Sequence, residues 1–190
     1  MKIDKIDSEK TMRKLLRVDG RSIAFASRTL LRKRKGIGFE LAKLAVQQNG
    51  MAIECINDHM LDHNDRAKRV LQLKELLRLA VQQNGMALAV SPVSGHGSEI
   101  TKLAVQQNGM ALEFAESDKR DDKDIVMEAV KEDGRALRYA SDRLRDDAEI
   151  VGLAVTENIE AIRHVSPKLL KSFVFRSAFV IEPMSMQEVD

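Results

Sequence analysis

The nine residues LAVQQNGMA occur three times without change, at 44–52, 79–87 and 103–111. A segment that recurs every 20–50 residues marks a repeat architecture, and that constraint precedes every other reading of the chain. Alignment on the glycine after Asn or Asp recovers further copies at Gly20, Gly50, Gly85, Gly109 and Gly134, with Ile159 where a sixth glycine would stand. The steps from Gly85 to Gly109, Gly134 and Ile159 are 24, 25 and 25 residues, and the earlier steps of 30 and 35 imply insertions.

Each copy has two halves. Counted from the glycine, apolar residues precede it at −9, −8, −5 and −4, as in Leu41, Ala42, Ala45, Val46 and again in Ile125, Val126, Ala129, Val130. That spacing makes one stripe on a helix and would scatter over both faces of a strand. After the glycine the favoured positions are +2, +3, +5 and +6, as in Ala136, Leu137, Tyr139 and Ala140, which fits a second helix. Asp121 with Asp124, and Asp146 with Glu149, have capping-box spacing. The Asn-Gly or Asp-Gly between the halves places a residue tolerant of positive φ where one helix stops and the next begins, so the five glycines are expected to be structural turns. Asn-Gly also signals β-hairpins, but KLAVQQ and MALEFA lack the period-two alternation a hairpin needs.

Helices of about three turns do not hold in isolation and are stabilised by neighbours. The expected fold is all-α: short helical hairpins repeated about every 25 residues and stacked as a solenoid-like array. Expected boundaries are a flexible N-terminus at 1–10, one helical-repeat domain of about six units at 11–170 with insertions near 57–75 and 91–98, and an apolar C-terminal cap and tail at 171–190. The first insertion is largely helix-compatible; the second, around SPVSGHGS, is a loop on its Pro, Gly and Ser content. An aromatic fraction of 4%, without Trp, suits closely packed short helices more than a sandwich or barrel.

Charge excludes some functions. Thirty-one Lys and Arg against 29 Asp and Glu leave a net charge of +2, too little to steer nucleic acid, which is not expected as a partner. A single cysteine, Cys55, excludes an internal disulfide. The N-terminus MKIDKIDSEK has no apolar signal segment, and no stretch approaches the roughly 20 apolar residues of a membrane span.

The segment from Asp121 to Val155, DDKDIVMEAVKEDGRALRYASDRLRDDAEIVGLAV, resembles the repeats grouped as domain of unknown function 4116. Asp122, Ile125, Val126, Ala129, Val130, Gly134, Ala136, Leu137, Tyr139, Ala140 and Ser141 carry the resemblance, which weakens at Arg13 to Leu30 and at both insertions. The resemblance implies helical tandem repeats without transferable catalytic residues. It also implies a host-associated bacterial setting, in the bacterial cytoplasm or secreted by a route without a classical signal peptide.

Chemistry-bearing patterns are scarce. No glycine-rich phosphate loop, HExxH or nucleophile elbow is present, so no enzyme and no cofactor are expected. Asp118, Asp121, Asp122 and Asp124 alternate with basic residues as at a solvated helix start. Cys55, His59 and His63 are zinc-ligand types spaced i, i+4, i+8 if one helix continues, but the outer two would lie about 12 Å apart on it. No metal site is therefore assigned. Cys55 and His164 share position +5 with Phe25, Val90, Phe114 and Tyr139, which reads as core, and His96 sits in the Gly-Ser loop. The basic run Arg32, Lys33, Arg34 and Lys35 is a candidate phosphate contact or a cation-rich helix end.

The expected function is a non-enzymatic module for protein–protein interaction. Candidate contacts are the pairs Gln47 and Gln48, Gln82 and Gln83, Gln106 and Gln107, which would line one polar edge, together with Arg138 and Arg143. The alternative is nucleic-acid, phosphate or anionic-lipid binding through residues 32–35. The sequence does not set the partner's identity or the oligomeric state.

Overall fold

The computed structural model describes residues 6–32, 36–62, 64–91 and 95–171. Six times along them an α-helix is followed by a six-residue 3-10 helix. The pairs are Glu9–Leu16 with Gly20–Phe25, Ile37–Gln48 with Gly50–Cys55, Arg66–Gln83 with Gly85–Val90, Ser98–Gln107 with Gly109–Phe114, Lys123–Glu132 with Gly134–Tyr139, and Ala148–Glu157 with Ile159–His164. They are numbered here as units one to six. Among the described residues there is no strand, only an isolated parallel bridge between Ile6 and Ala26.

Successive α-helices pack on one another and so do successive 3-10 helices, giving two helical layers. Each α-helix after the first also packs on the 3-10 helix of the unit before it, so the layers are stitched together at every step. The stripe at −9, −8, −5 and −4 is the interior: Leu76, Leu77, Ala80, Val81 and Val126, Ala129, Val130 are fully buried. On the other limb the residues at +2 and +3, such as Ala111, Leu112, Ala136 and Leu137, are equally buried.

The second limb is the expected second helix of each unit, and it is a 3-10 helix. Its apolar positions pair as +2 with +5 and +3 with +6, an interval of three that matches three residues per turn. The N–H at +6 donates to the carbonyl at +3, as from Ala115 to Leu112 at 3.1 Å, which closes the short helix.

The joint corrects an expectation. None of the five joint glycines has positive φ; only Gly36 and Gly95 do. What they need is space. A methyl carbon at Gly20, Gly50, Gly85, Gly109 or Gly134 would stand 2.2–2.4 Å from the carbonyl oxygen of Ala45, Ala80, Ala104, Ala129 or Ala154 in the next unit. Glycine lets the two backbones meet, and its hydrogen faces an oxygen, the geometry of a weak C–H···O contact.

The residue before it has the local task. Asp19, Asn49, Asn84, Asn108, Asp133 and Asn158 are all extended, and each side-chain oxygen accepts the backbone N–H two residues on. That bond caps the 3-10 helix within one unit, whereas the glycine serves the boundary between units. In unit six Asn158 caps as the others do, but among the described residues only the four-residue helix Pro167–Leu170 follows, and Ile159 stands 64% exposed where the glycine would be.

Two boundaries shift. Residues 6–10, expected to be flexible, belong to unit one: Ile6 exchanges backbone hydrogen bonds with Phe25 and Ser27, and Ser8 caps the helix that starts at Glu9. The insertion near 57–75 is a 3-10 turn, Asp58–Met60, followed by an N-terminal extension of the 18-residue helix Arg66–Gln83. Gly38 fits against that turn, since a methyl carbon there would lie 2.6 Å from the Met60 backbone. The expected cap at 171–190 lies, after Lys171, outside the described residues.

Candidate functional site

Acidic residues at the unit starts act one position away from where the capping-box spacing put them. Asp122 and Asp147 are the N-caps, accepting from Asp124 and Ile125 and from Glu149 and Ile150. Asp121 and Asp146 instead accept the hydroxyls of Ser141 and Ser166, a clasp repeated by Ser27 on Asp7. The Ser141 hydroxyl and the Arg143 guanidinium hold the Asp121 carboxyl below its ordinary range, and Ser166 with Lys168 do the same to Asp146. These carboxylates clasp segments 20 residues apart in the chain.

The glutamine row does not form a free edge. Gln83 accepts the Gly50 N–H at 3.1 Å and Gln107 accepts that of Gly85, so the second glutamine of these pairs satisfies the joint of the preceding unit. Gln106 donates to Glu128 at 2.9 Å. Gln82 is exposed on the outer face of its helix, and Gln47 and Gln48 line a shallow depression with Arg13, Leu16, Arg17 and Leu44. The structure turns half of the proposed contact row into internal fastening because a joint N–H left without a partner would be costly.

Arg143 and Arg138 also have internal partners. Arg143 donates to the Asp121 carboxylate at 3.0 Å and to its carbonyl at 2.7 Å. Arg138 lies 4.4 Å from the centre of the Tyr139 ring and donates to its hydroxyl, which in turn donates to Glu113 at 2.7 Å. Burial and the Glu113 hydrogen bond raise the Tyr139 pKa.

The zinc-type constellation loses its premise. The helix ends at Cys55, and the chain turns through Ile56 and Asn57 before the Asp58–Met60 turn, so Cys55 and His59 are not successive turns of one helix. Cys55 packs against the smaller apolar cluster around Ile23, Leu41 and Ala52. Among the described residues no three His, Cys, Asp or Glu side chains gather as a metal would require; His63 lies outside them. Among the described residues the ring nitrogens of His96 have no hydrogen-bond partner, and the neighbouring Gly95 N–H is taken by Glu116 at 2.7 Å. Lys33, Arg34, Lys35 and the Arg32 side chain are outside the described residues, and the backbone of Arg32 closes the helix Arg28–Arg32.

The outer surface of the 3-10 layer carries rows of its own. Position +1 carries Met51, Met86 and Met110 in three successive units, each half-buried, and +4 carries the exposed Glu54, Ala89 and Glu113. Packing of the three 3-10 helices in order sets these side chains in rows along one face. At +5, the row read as core, Phe25, Cys55, Val90, Phe114, Tyr139 and His164 are all half-buried, between the interior and this face. No helix among the described residues is long and apolar enough to cross a membrane.

Residues 122–170, which hold units five and six and the short helix Pro167–Leu170, match the family described as Domain of unknown function (DUF4116). The match contains most of the segment from Asp121 to Val155 on which the resemblance was read. No curated protein and no solved structure matches the chain.

Proposed function

We propose that the chain is a non-enzymatic, solenoid-like interaction module that binds another protein along its 3-10 layer. The observation that carries this reading is the methionine row: Met51, Met86 and Met110 take the same half-buried place in three successive units, beside the exposed Glu54, Ala89 and Glu113. Methionine is flexible and polarisable and suits a surface that adapts to a partner. Acidic residues beside it favour a partner segment that carries apolar and basic side chains. Repeat arrays commonly bind through such continuous faces. The setting implied by the family resemblance is a host-directed protein of a host-associated bacterium.

The test compares capture from bacterial and host lysates by the wild-type chain, by Met51→Glu/Met86→Glu/Met110→Glu, and by Gln82→Ala/Gln106→Ala. A specific partner held by the wild type and the glutamine variant but lost by the methionine variant supports the reading. A partner retained equally by the methionine variant moves the interface elsewhere, and absence of any specific partner defeats the module. Circular dichroism shows whether each variant keeps its helices.

A further inference from the structure

The 3-10 layer changes character at units five and six. Position +4 runs Ala24, Glu54, Ala89, Glu113, Arg138, Arg163, so only its last step sets two like charges in successive units. The two helices that carry them, Gly134–Tyr139 and Ile159–His164, pack directly. A third guanidinium, Arg145, comes from the turn Leu144–Asp146, and the Arg145 carbonyl ties that turn to unit six by accepting the Ser166 N–H at 3.1 Å.

Little negative charge answers these three. Arg145 pairs with Asp142, whose side chain is 95% exposed. Arg138 is held on the Tyr139 ring and hydroxyl, and the Asp133 carboxylate, itself bonded to Arg135, lies within its field. Among the described residues Arg163 has no ion-pair partner. Elsewhere in the array cations at the unit boundaries are matched, as Lys123 is by Asp147 at 3.0 Å and by Glu149 at 2.7 Å.

We infer that Arg138, Arg145 and Arg163, carried on two directly packed 3-10 helices and the turn tied to the second of them, bind a phosphate oxyanion. Guanidinium groups present paired N–H donors in the geometry of phosphate oxygens. Arg138 is already oriented by its aromatic seat, which reduces the ordering cost of binding. His164 reports on the same place: burial, and then the charges of Arg138, Arg145 and Arg163, lower its pKa. The other charges beside the cluster are Asp133 between Arg135 and Arg138, Glu113 behind the Tyr139 hydroxyl, Asp142 on Arg145, Glu160 facing Arg135, and Lys168 on Asp146. An anion among the guanidiniums reverses the local field and raises the His164 pKa. This site is independent of the methionine row, and its ligand is either free phosphate or a phosphorylated side chain.

The experiment follows the ring proton resonances of His164 by NMR, identified among the four histidines by their loss in His164→Gln. Inorganic phosphate, a phosphoserine peptide and its unphosphorylated twin are titrated, with sodium chloride at equal ionic strength as the control. The expected result is a saturable rise in the pH at which His164 titrates, caused by phosphate or by the phosphopeptide, and weakened at least tenfold in Arg163→Gln and Arg138→Gln. Response to phosphate and phosphopeptide alike indicates the bare oxyanion as ligand, and response to the phosphopeptide alone indicates a modified protein. A change matched by chloride, an equal response to the unphosphorylated twin, or undiminished binding by Arg163→Gln overturns the site. Arg163 is exposed, so its replacement leaves the fold intact.

Discussion

Asn108–Gly109 and Asn158–Ile159 begin the same kind of 3-10 helix with the same capping bond, yet only the first keeps its glycine. At Gly109 a methyl carbon would lie 2.3 Å from the Ala129 carbonyl oxygen of the next unit. At Ile159 no seventh unit arrives among the described residues, and a branched side chain is 64% exposed. The difference separates two requirements that the dipeptide Asn-Gly presents as one: a cap that acts inside a unit and a clearance that acts between units.

The strongest way to break the comparison is to fill the clearance. Gly109→Ala is expected to destabilise the chain by about 3 kcal/mol or more, because the obstacle is backbone and the neighbouring helix must move to yield. Ile159→Ala is expected to stay within about 0.5 kcal/mol, the ordinary range for an exposed site. Urea unfolding of the two variants reads the contrast, and equal losses would refute the clearance argument.

Removing the cap should treat both joints alike. Asn108→Ala and Asn158→Ala each lose the side-chain acceptor of a 3-10 helix, at a cost of about 1 kcal/mol. A much larger loss at Asn108 would mean that the asparagine also serves the boundary. Gln83→Ala tests the boundary from its other side, since Gln83 in unit three accepts the Gly50 N–H of unit two. Its expected cost is about 1 kcal/mol, with amide exchange at Gly50 speeding up more than at Gly109.

The smallest effect concerns position +5, where unit five has Tyr139 and unit six has His164. Burial and three arginines lower the folded-state pKa of His164 below its ordinary 6.5. The folded ring therefore stays neutral while the unfolded one takes a proton, so stability falls as pH drops through about 6.5. In phosphate-free buffer the fall in melting temperature between about pH 7.5 and pH 5.5 should be smaller for His164→Gln than for wild type. Further acidification should destabilise both, as Asp121, Asp146 and Asp133, whose folded pKa values are lowered, become protonated.

Much of this was legible in the chain. The stripe at −9, −8, −5 and −4 identified the buried α-face of units two, three, five and six, since burial along a helix follows its period, whereas in unit one Leu15 at −5 is exposed. The 3-10 limb was also written there, in the interval of three between +2 and +5, but two turns of a helix are short enough for 3-10 and α spacings to overlap. The cap left a trace as well: Asp or Asn stands at −1 in all six units, while glycine follows in five. The glutamines gave no such trace, because whether an amide faces water or reaches a neighbouring joint depends on the stacking distance.

By itself, then, the sequence determined the unit, its helical character, its interior and its punctuation, since each depends on contacts a few residues apart. Tertiary structure decided why the glycine is there, which glutamines are fastened, and that Arg138, Arg145 and Arg163 share one end of the 3-10 layer. Those outcomes depend on separations of about 20 to 35 residues brought to contact distance by stacking, and a local pattern carries no record of the distance between neighbouring backbones.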